Sequence, residues 1–199
     1  DTVCPPPLTT VQDVQQGSVS EGESVTIEGL VVTGLSSNGF MVQDPDATDA
    51  RFSGLYVFTS SAPTVKVNDL VVISGEVEEY FEETEIVLSS VEISGTATPI
   101  EPTPVTVADA ALEDYEGVLI VLTDGSVTNA AYDCAVDGSS CKDDGLWEVG
   151  GSEGVVLYDK LYTDSDWDAR IGTLPAAGVM GFRFERRRLM PRDGEDLGG

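Results

Sequence analysis

Gly39-Phe40-Met41-Val42-Gln43-Asp44-Pro45-Asp46 reads as a short apolar strand that leaves an Asn38-Gly39 turn and stops at a proline flanked by acids. Asn-Gly is a tight-turn pair because both residues tolerate the left-handed backbone such turns require. Upstream, Val25-Thr26-Ile27-Glu28-Gly29 alternates apolar and polar residues, the period of a half-buried strand. Downstream, Leu55-Tyr56-Val57-Phe58 gives a third strand, residues 70–77 a fourth and residues 85–93 a fifth. In the fifth, the apolar positions change phase from Ile86 and Leu88 to Val91 and Ile93, which requires a bulge near Ser89-Ser90. Gly29 and Gly75 sit inside strand patterns, as the sharp coiling of a small closed barrel demands. Residues 24–95 are therefore expected to form a five-stranded barrel, preceded by an arm and lead-in (1–23) with one short helix between Thr9 and Gln16.

The sharpest boundary is Thr96-Ala97-Thr98-Pro99-Ile100-Glu101-Pro102-Thr103-Pro104, where three prolines break helix and sheet and favour a stiff, extended linker. Beyond it, residues 105–197 repeat the scheme less cleanly. Tyr115-Glu116-Gly117-Val118-Leu119-Ile120-Val121-Leu122, Leu146-Trp147-Glu148-Val149, Val155-Val156-Leu157-Tyr158, residues 178–184 and residues 186–190 read as five more strands. The expected architecture is all-β, two tandem five-stranded barrels joined by a Pro-rich linker. A long insertion, residues 130–145, interrupts the second.

Composition narrows the chemistry. Hydrophobic residues make up 41% of the 199, enough for packed cores, so a net charge of −26 does not imply disorder. No apolar run approaches the ~18 residues of a membrane helix, and no membrane insertion is expected. Asp1 opens the chain without a charged and apolar leader, so a signal peptide is expected to have been removed or never to have been present. Histidine is absent, which excludes a Ser-His-Asp triad, histidine zinc sites and histidine acid–base catalysis within these residues. No catalytic residues are expected. Cys134 and Cys141 bracket a Gly/Ser-rich loop that can bring them together; a local disulfide there implies an oxidising compartment, and the alternative is a set of unpaired thiols. Cys4 is left over in a Pro-rich arm and is a candidate for an intermolecular bond or covalent attachment.

The order of these pieces carries a resemblance. Val25 to Gly29, Gly39 to Asp44, Gly54-Leu55-Tyr56-Val57-Phe58-Thr59 and Val67-Asn68-Asp69-Leu70-Val71-Val72-Ile73-Ser74-Gly75 resemble, in order and spacing, the OB-fold module of bacterial extracellular nucleases. Glu116-Gly117-Val118-Leu119 is similar to that family's opening of a second barrel, and Leu189-Met190-Pro191-Arg192-Asp193 to its closing strand. The resemblance spans residues 9–197 and implies secreted OB barrels. It does not bring nuclease activity, because two barrels leave no room in 199 residues for the metal-dependent catalytic domain.

Single-strand binding by an OB barrel needs a cationic groove with aromatic platforms. Residues 1–100 hold 16 acids against Arg51 and Lys66, and the Glu78-Glu79-Tyr80-Phe81-Glu82-Glu83 hairpin would repel phosphate. In the second half, Arg183, Arg186, Arg187, Arg188 and Arg192 cluster with Phe182, Phe184, Trp147 and Tyr158. They read either as a polyanion groove or as partners for neighbouring acids or for another copy of the chain. Asp44, Asp46 and Asp49 in one loop, and Asp164, Asp166 and Asp168 in another, are calcium candidates, with an ordinary solvated acidic surface as the alternative. An EF-hand is excluded at the second triad by Ala169 and Pro175 at the positions of its turn glycine and closing glutamate. The expected function is non-enzymatic: an extracellular or cell-surface structural protein that self-assembles into a filament or layer as a homo-oligomer or polymer. The alternative is a secreted module that binds single-stranded DNA or another ligand beside a separate nuclease.

Overall fold

The computed structural model describes residues 9–132, 146–163, 176–183 and 185–197. Cys4, Cys134, Cys141, Asp164, Asp166, Asp168 and Phe184 lie outside them.

The chain is all-β, in two halves of one topology. A short helix α1 (Val11–Gln15) is closed at its start by Thr10, whose hydroxyl accepts from Asp13 N while the Asp13 carboxylate accepts from Thr10 N. Strands β1 (Ser24–Ser36), β2 (Gly39–Gln43), β3 (Gly54–Phe58), β4 (Asp69–Tyr80) and β5 (Glu83–Thr96) close a barrel in the order β1-β2-β3-β5-β4. β1 is long enough to serve both neighbours: Ser24 to Val31 pair with β4, and Val31 to Ser36 pair with β2. The bend between these duties falls at Gly29, whose φ of 73° suits glycine, beside a register shift between Ile27 and Leu30. The bulge in β5 is present too: Ser74 pairs with Ser90 and Gly75 with Leu88, leaving Ser89 as the extra residue. Inward-facing Ile27, Leu30, Phe40, Val42, Leu55, Val57, Ile73 and Ile86 fill the cylinder and are 2% exposed or less. Each such side chain contributes roughly 1.5–3 kcal/mol on burial.

The second half begins the same way. Thr106-Val107-Ala108-Asp109 repeats the pattern of Thr10-Val11-Gln12-Asp13, and Thr106 caps α2 (Val107–Ala110) by accepting from Asp109 N. Among the described residues the second sheet has seven strands, not five: β6 (Thr103–Val105), β7 (Leu119–Leu122), β8 (Val127–Tyr132), β9 (Leu146–Val149), β10 (Val155–Leu157), β11 (Ala177–Arg183) and β12 (Arg186–Met190), in the order β6-β7-β11-β12-β10-β9-β8. Two causes account for the extra strands. The counterpart of β1 is broken around Asp124-Gly125, with Gly125 at φ 98°, so its halves β7 and β8 stand at opposite ends of the path and pair with β11 and β9. The last residues of the Pro-rich segment also add a strand, β6 running parallel to β7. With β7 and β8 counted as one interrupted strand, the path repeats that of the first barrel, including the parallel pair (β10 with β12, as β3 with β5). Trp147, Val149, Leu157, Met180 and Leu189 occupy its core.

Candidate functional site

In OB barrels, ligands are taken on the outer face of the second and third strands and by the loop joining the fourth and fifth. In the first half, that surface is covered by the second half. Strand alternation turns Met41 of β2 and Tyr56 of β3 outward, and both are buried against Leu119, Val179 and Met190, with Phe58, Ile100, Tyr158 and Leu161 at the margin. Gln43 ties the two sheets, its Oε1 accepting from Leu119 N at 3.0 Å and its Nε2 donating to Ser53 Oγ at 3.1 Å. At Gly54 and Gly117 the two backbones touch, and a β-carbon on either glycine would overlap the other's main chain. The Pro-rich segment thus connects two bodies already fastened along a shared apolar and hydrogen-bonded face.

Beside this apolar patch lies a buried charge cluster. Glu83 and Glu85 of β5 and Glu116, just before β7, are each 4% exposed or less. Glu83 Oε2 is 3.8 Å from Lys160 Nζ, its Oε1 accepts from Phe182 N at 3.4 Å, and Lys160 Nζ sits 3.6 Å above the centre of the Tyr56 ring. Burial lowers the Lys160 pKa, against the pull of Glu83. Glu116 Oε1 accepts from Thr84 N at 2.8 Å while Oε2 contacts the Arg187 guanidinium. Burial pushes Glu116 up to about 7, against the stabilising Thr84 N–H and Arg187. Glu85 is likewise pushed up to about 7, by burial first and then by Glu83 and Glu78. The Tyr56 phenol is raised to about 12 by burial.

The arginines do not make an open groove. Arg186 pairs with Glu148 at 3.4 Å and donates to the carbonyls of Gly151 and Gly154. Arg187 contacts Glu116 and lies 4.5 Å from the centre of the Phe182 ring. Arg188 is 1% exposed, donates to the Arg183 carbonyl at 2.9 Å and stacks over Tyr158 at 4.9 Å. Arg183 covers the Tyr80 ring, and Arg192 forms a two-point pair with Asp196. Trp147 is fully buried in the second core, so it presents no stacking surface. The reason is the placement of the strand: set among glutamates of neighbouring segments, its guanidiniums are neutralised from within before any outside anion reaches them.

Nor do the acids of the first loop gather. Asp44 Oδ1 accepts from Asp46 N, and Asp49 is held by Arg51, with Nε to Oδ2 at 3.0 Å. Arg51 keeps the Asp49 carboxyl at about 2. Among the described residues, no three acids or thiols are placed to share a metal ion. Likewise, no described helix is long and apolar enough to cross a membrane.

The residues that build this junction escaped the sequence reading. Glu83, Glu85 and Glu116 look like solvated acids in an acidic chain, and the signal pointing the other way was slight: Glu83 and Glu85 alternate with residues of a strand that reads as buried.

No family model matches the chain, and no curated protein matches it. Among solved structures, the hypothetical protein ygiW from E. coli is similar at 24% identity, over 43% of this chain and 87% of that one, with a TM-score of 0.34.

Proposed function

We propose that this protein is a non-enzymatic structural subunit of the extracellular space or cell surface that self-assembles into a filament or layer. One observation carries the reading: the face on which an OB barrel takes ligand is occupied, in the first half, by the second half. What remains outside is a rigid acidic body whose described arginines are engaged internally. Such a body suits repeated contacts between copies better than capture of a phosphate chain. Cys4, and the Cys134–Cys141 bridge with the oxidising compartment it implies, belong to this proposal, as does a calcium ion at the loop of Asp164, Asp166 and Asp168.

The second reading, a module presenting single-stranded DNA to a separate nuclease, draws less support, because Trp147 is internal and Tyr158 lies under Arg188. Light scattering and electron microscopy of the purified chain, with and without reductant and calcium, test the proposal. Ordered assemblies are expected; a monomer at every concentration and condition would sink it.

A further inference from the structure

Glu83 and Lys160 face each other across the contact between the two halves, Glu83 at the start of β5 and Lys160 shortly after β10. Glu83 is 3% exposed and the Lys160 side chain 11%, so water has little access to either. As an ion pair they are poorly matched. Lys160 Nζ lies 3.8 Å from Glu83 Oε2, beyond hydrogen-bonding range, and two desolvated charges recover their cost only at close range with their remaining sites satisfied.

The surroundings favour the uncharged pair instead. Lys160 Nζ sits 3.6 Å above the centre of the Tyr56 ring, which fixes its position. Burial drives the lysine toward its free amine, and Arg183 adds to that effect. Glu85 projects from the same face of β5 as Glu83, opposite Tyr56 in the neighbouring strand, and Lys160 is among the charges that act on it. Its pKa of about 7 suits it to pass protons near neutral pH. Glu83 Oε1 accepts from Phe182 N at 3.4 Å, and Gly181 leaves space for it: a β-carbon there would stand 2.7 Å from that oxygen. A carboxyl group is thus lodged with one oxygen on a backbone N–H and the other toward an amine.

We propose that Lys160 and Glu83 condense to an amide that joins the two halves covalently, with Glu85 carrying the proton and Phe182 N–H holding the carbonyl oxygen. The pair first exchanges one proton, giving an amine and a carboxylic acid. Nζ then bonds to Glu83 Cδ while negative charge gathers on Oε1, where the Phe182 N–H meets it. Glu85 relays one proton from the nitrogen to Oε2, the Cδ–Oε2 bond breaks, and one water leaves. Nothing is oxidised or reduced, and no co-reactant is consumed. Free partners in water do not condense, but well-oriented groups held together reach effective concentrations of roughly 10⁵–10⁸ M, and a dry junction sheds the water formed.

Mass spectrometry of the purified, reduced full chain after incubation at neutral pH tests the bond. The parent is expected to be lighter than its sequence by one water, with protease digestion yielding a branched peptide that carries both Glu83 and Lys160. Lys160→Arg, which keeps the charge and cannot release a proton to become a nucleophile, should show the full mass. Glu83→Gln should lose ammonia in place of water, a change that an ion pair cannot produce. Glu85→Gln should still form the bond, roughly tenfold or more slower in time courses after cell-free synthesis; an unchanged rate would overturn the role given to Glu85. A parent of full mass, or a water lost at an Asp-Gly step such as Asp124-Gly125 with Glu83 and Lys160 on separate peptides, would overturn the proposal.

Discussion

Glu85 shows how a side chain that reads as solvent-facing becomes a titrating core group. It stands opposite Tyr56 on β3 and Glu78 on β4, on the outer face of the first barrel, and that face is covered. Its folded pKa, about 7, lies above the ordinary carboxylate value of 4.5, so between those pH values the native state binds more proton than the unfolded chain. Its contribution to stability is therefore most favourable below about pH 4.5 and declines as pH rises through 7. The loss at pH 8 is at most about 3 kcal/mol. Glu85→Gln should remove most of this slope, so that urea unfolding midpoints of variant and parent agree near pH 5 and the variant gains by about 1–3 kcal/mol at pH 8. A parent midpoint that does not fall between pH 5 and pH 8 relative to the variant would contradict the assignment. Nothing in the local sequence announces this environment, because alternation separates the two faces of a strand but does not say what lies against the outer one.

At the scale of elements, Gly54 and Gly117 set how closely the two sheets approach. Gly54 has an ordinary backbone conformation, so an alanine there changes contact and not φ. Gly54→Ala should force the main chains apart, break the Gln43–Leu119 bond and cost about 2–4 kcal/mol, read as a lowered urea midpoint. A change below about 0.5 kcal/mol would show that the contact yields easily. The strands of the first barrel were legible because each has either clean alternation or a compact apolar run bounded by turn residues, and the Ser89 bulge was legible from its phase change. Two strands of the second half were not. Val127-Thr128-Asn129-Ala130 lacks apolar alternation, and Thr103-Pro104-Val105 lies in a proline-rich run that argues against a strand; its pairing with β7 comes from tertiary placement alone. The arginine strand was recognised, but whether its charges faced phosphate or glutamate depended on Glu148 and Glu116, 38 and 71 positions away in sequence.

For the molecule as a whole, the shared face makes independent unfolding of the halves unfavourable. Separation would expose Met41, Tyr56, Leu119, Val179 and Met190 together and strand Glu116 from the Thr84 amide. Calorimetry should accordingly show one transition whose van't Hoff and calorimetric enthalpies agree. Two resolved peaks would mean that the linker, and not the interface, is what joins the barrels. The sequence suggested two bodies on a stiff tether, a reasonable reading of Pro99, Pro102 and Pro104. What it concealed is that the tether's last residues are woven into the second sheet.

The addition of β6 to the edge of β7 has a geometric outcome. With Ala97 N bonded to the Asn68 carbonyl at one end of the proline run and residues 103–105 laid into a sheet at the other, the connecting stretch has both ends anchored. The second sheet cannot swivel on the first barrel, so each copy carries a fixed internal angle. Any lattice raised from such copies would take its curvature from within the subunit, and the joints between neighbours would have only to repeat it.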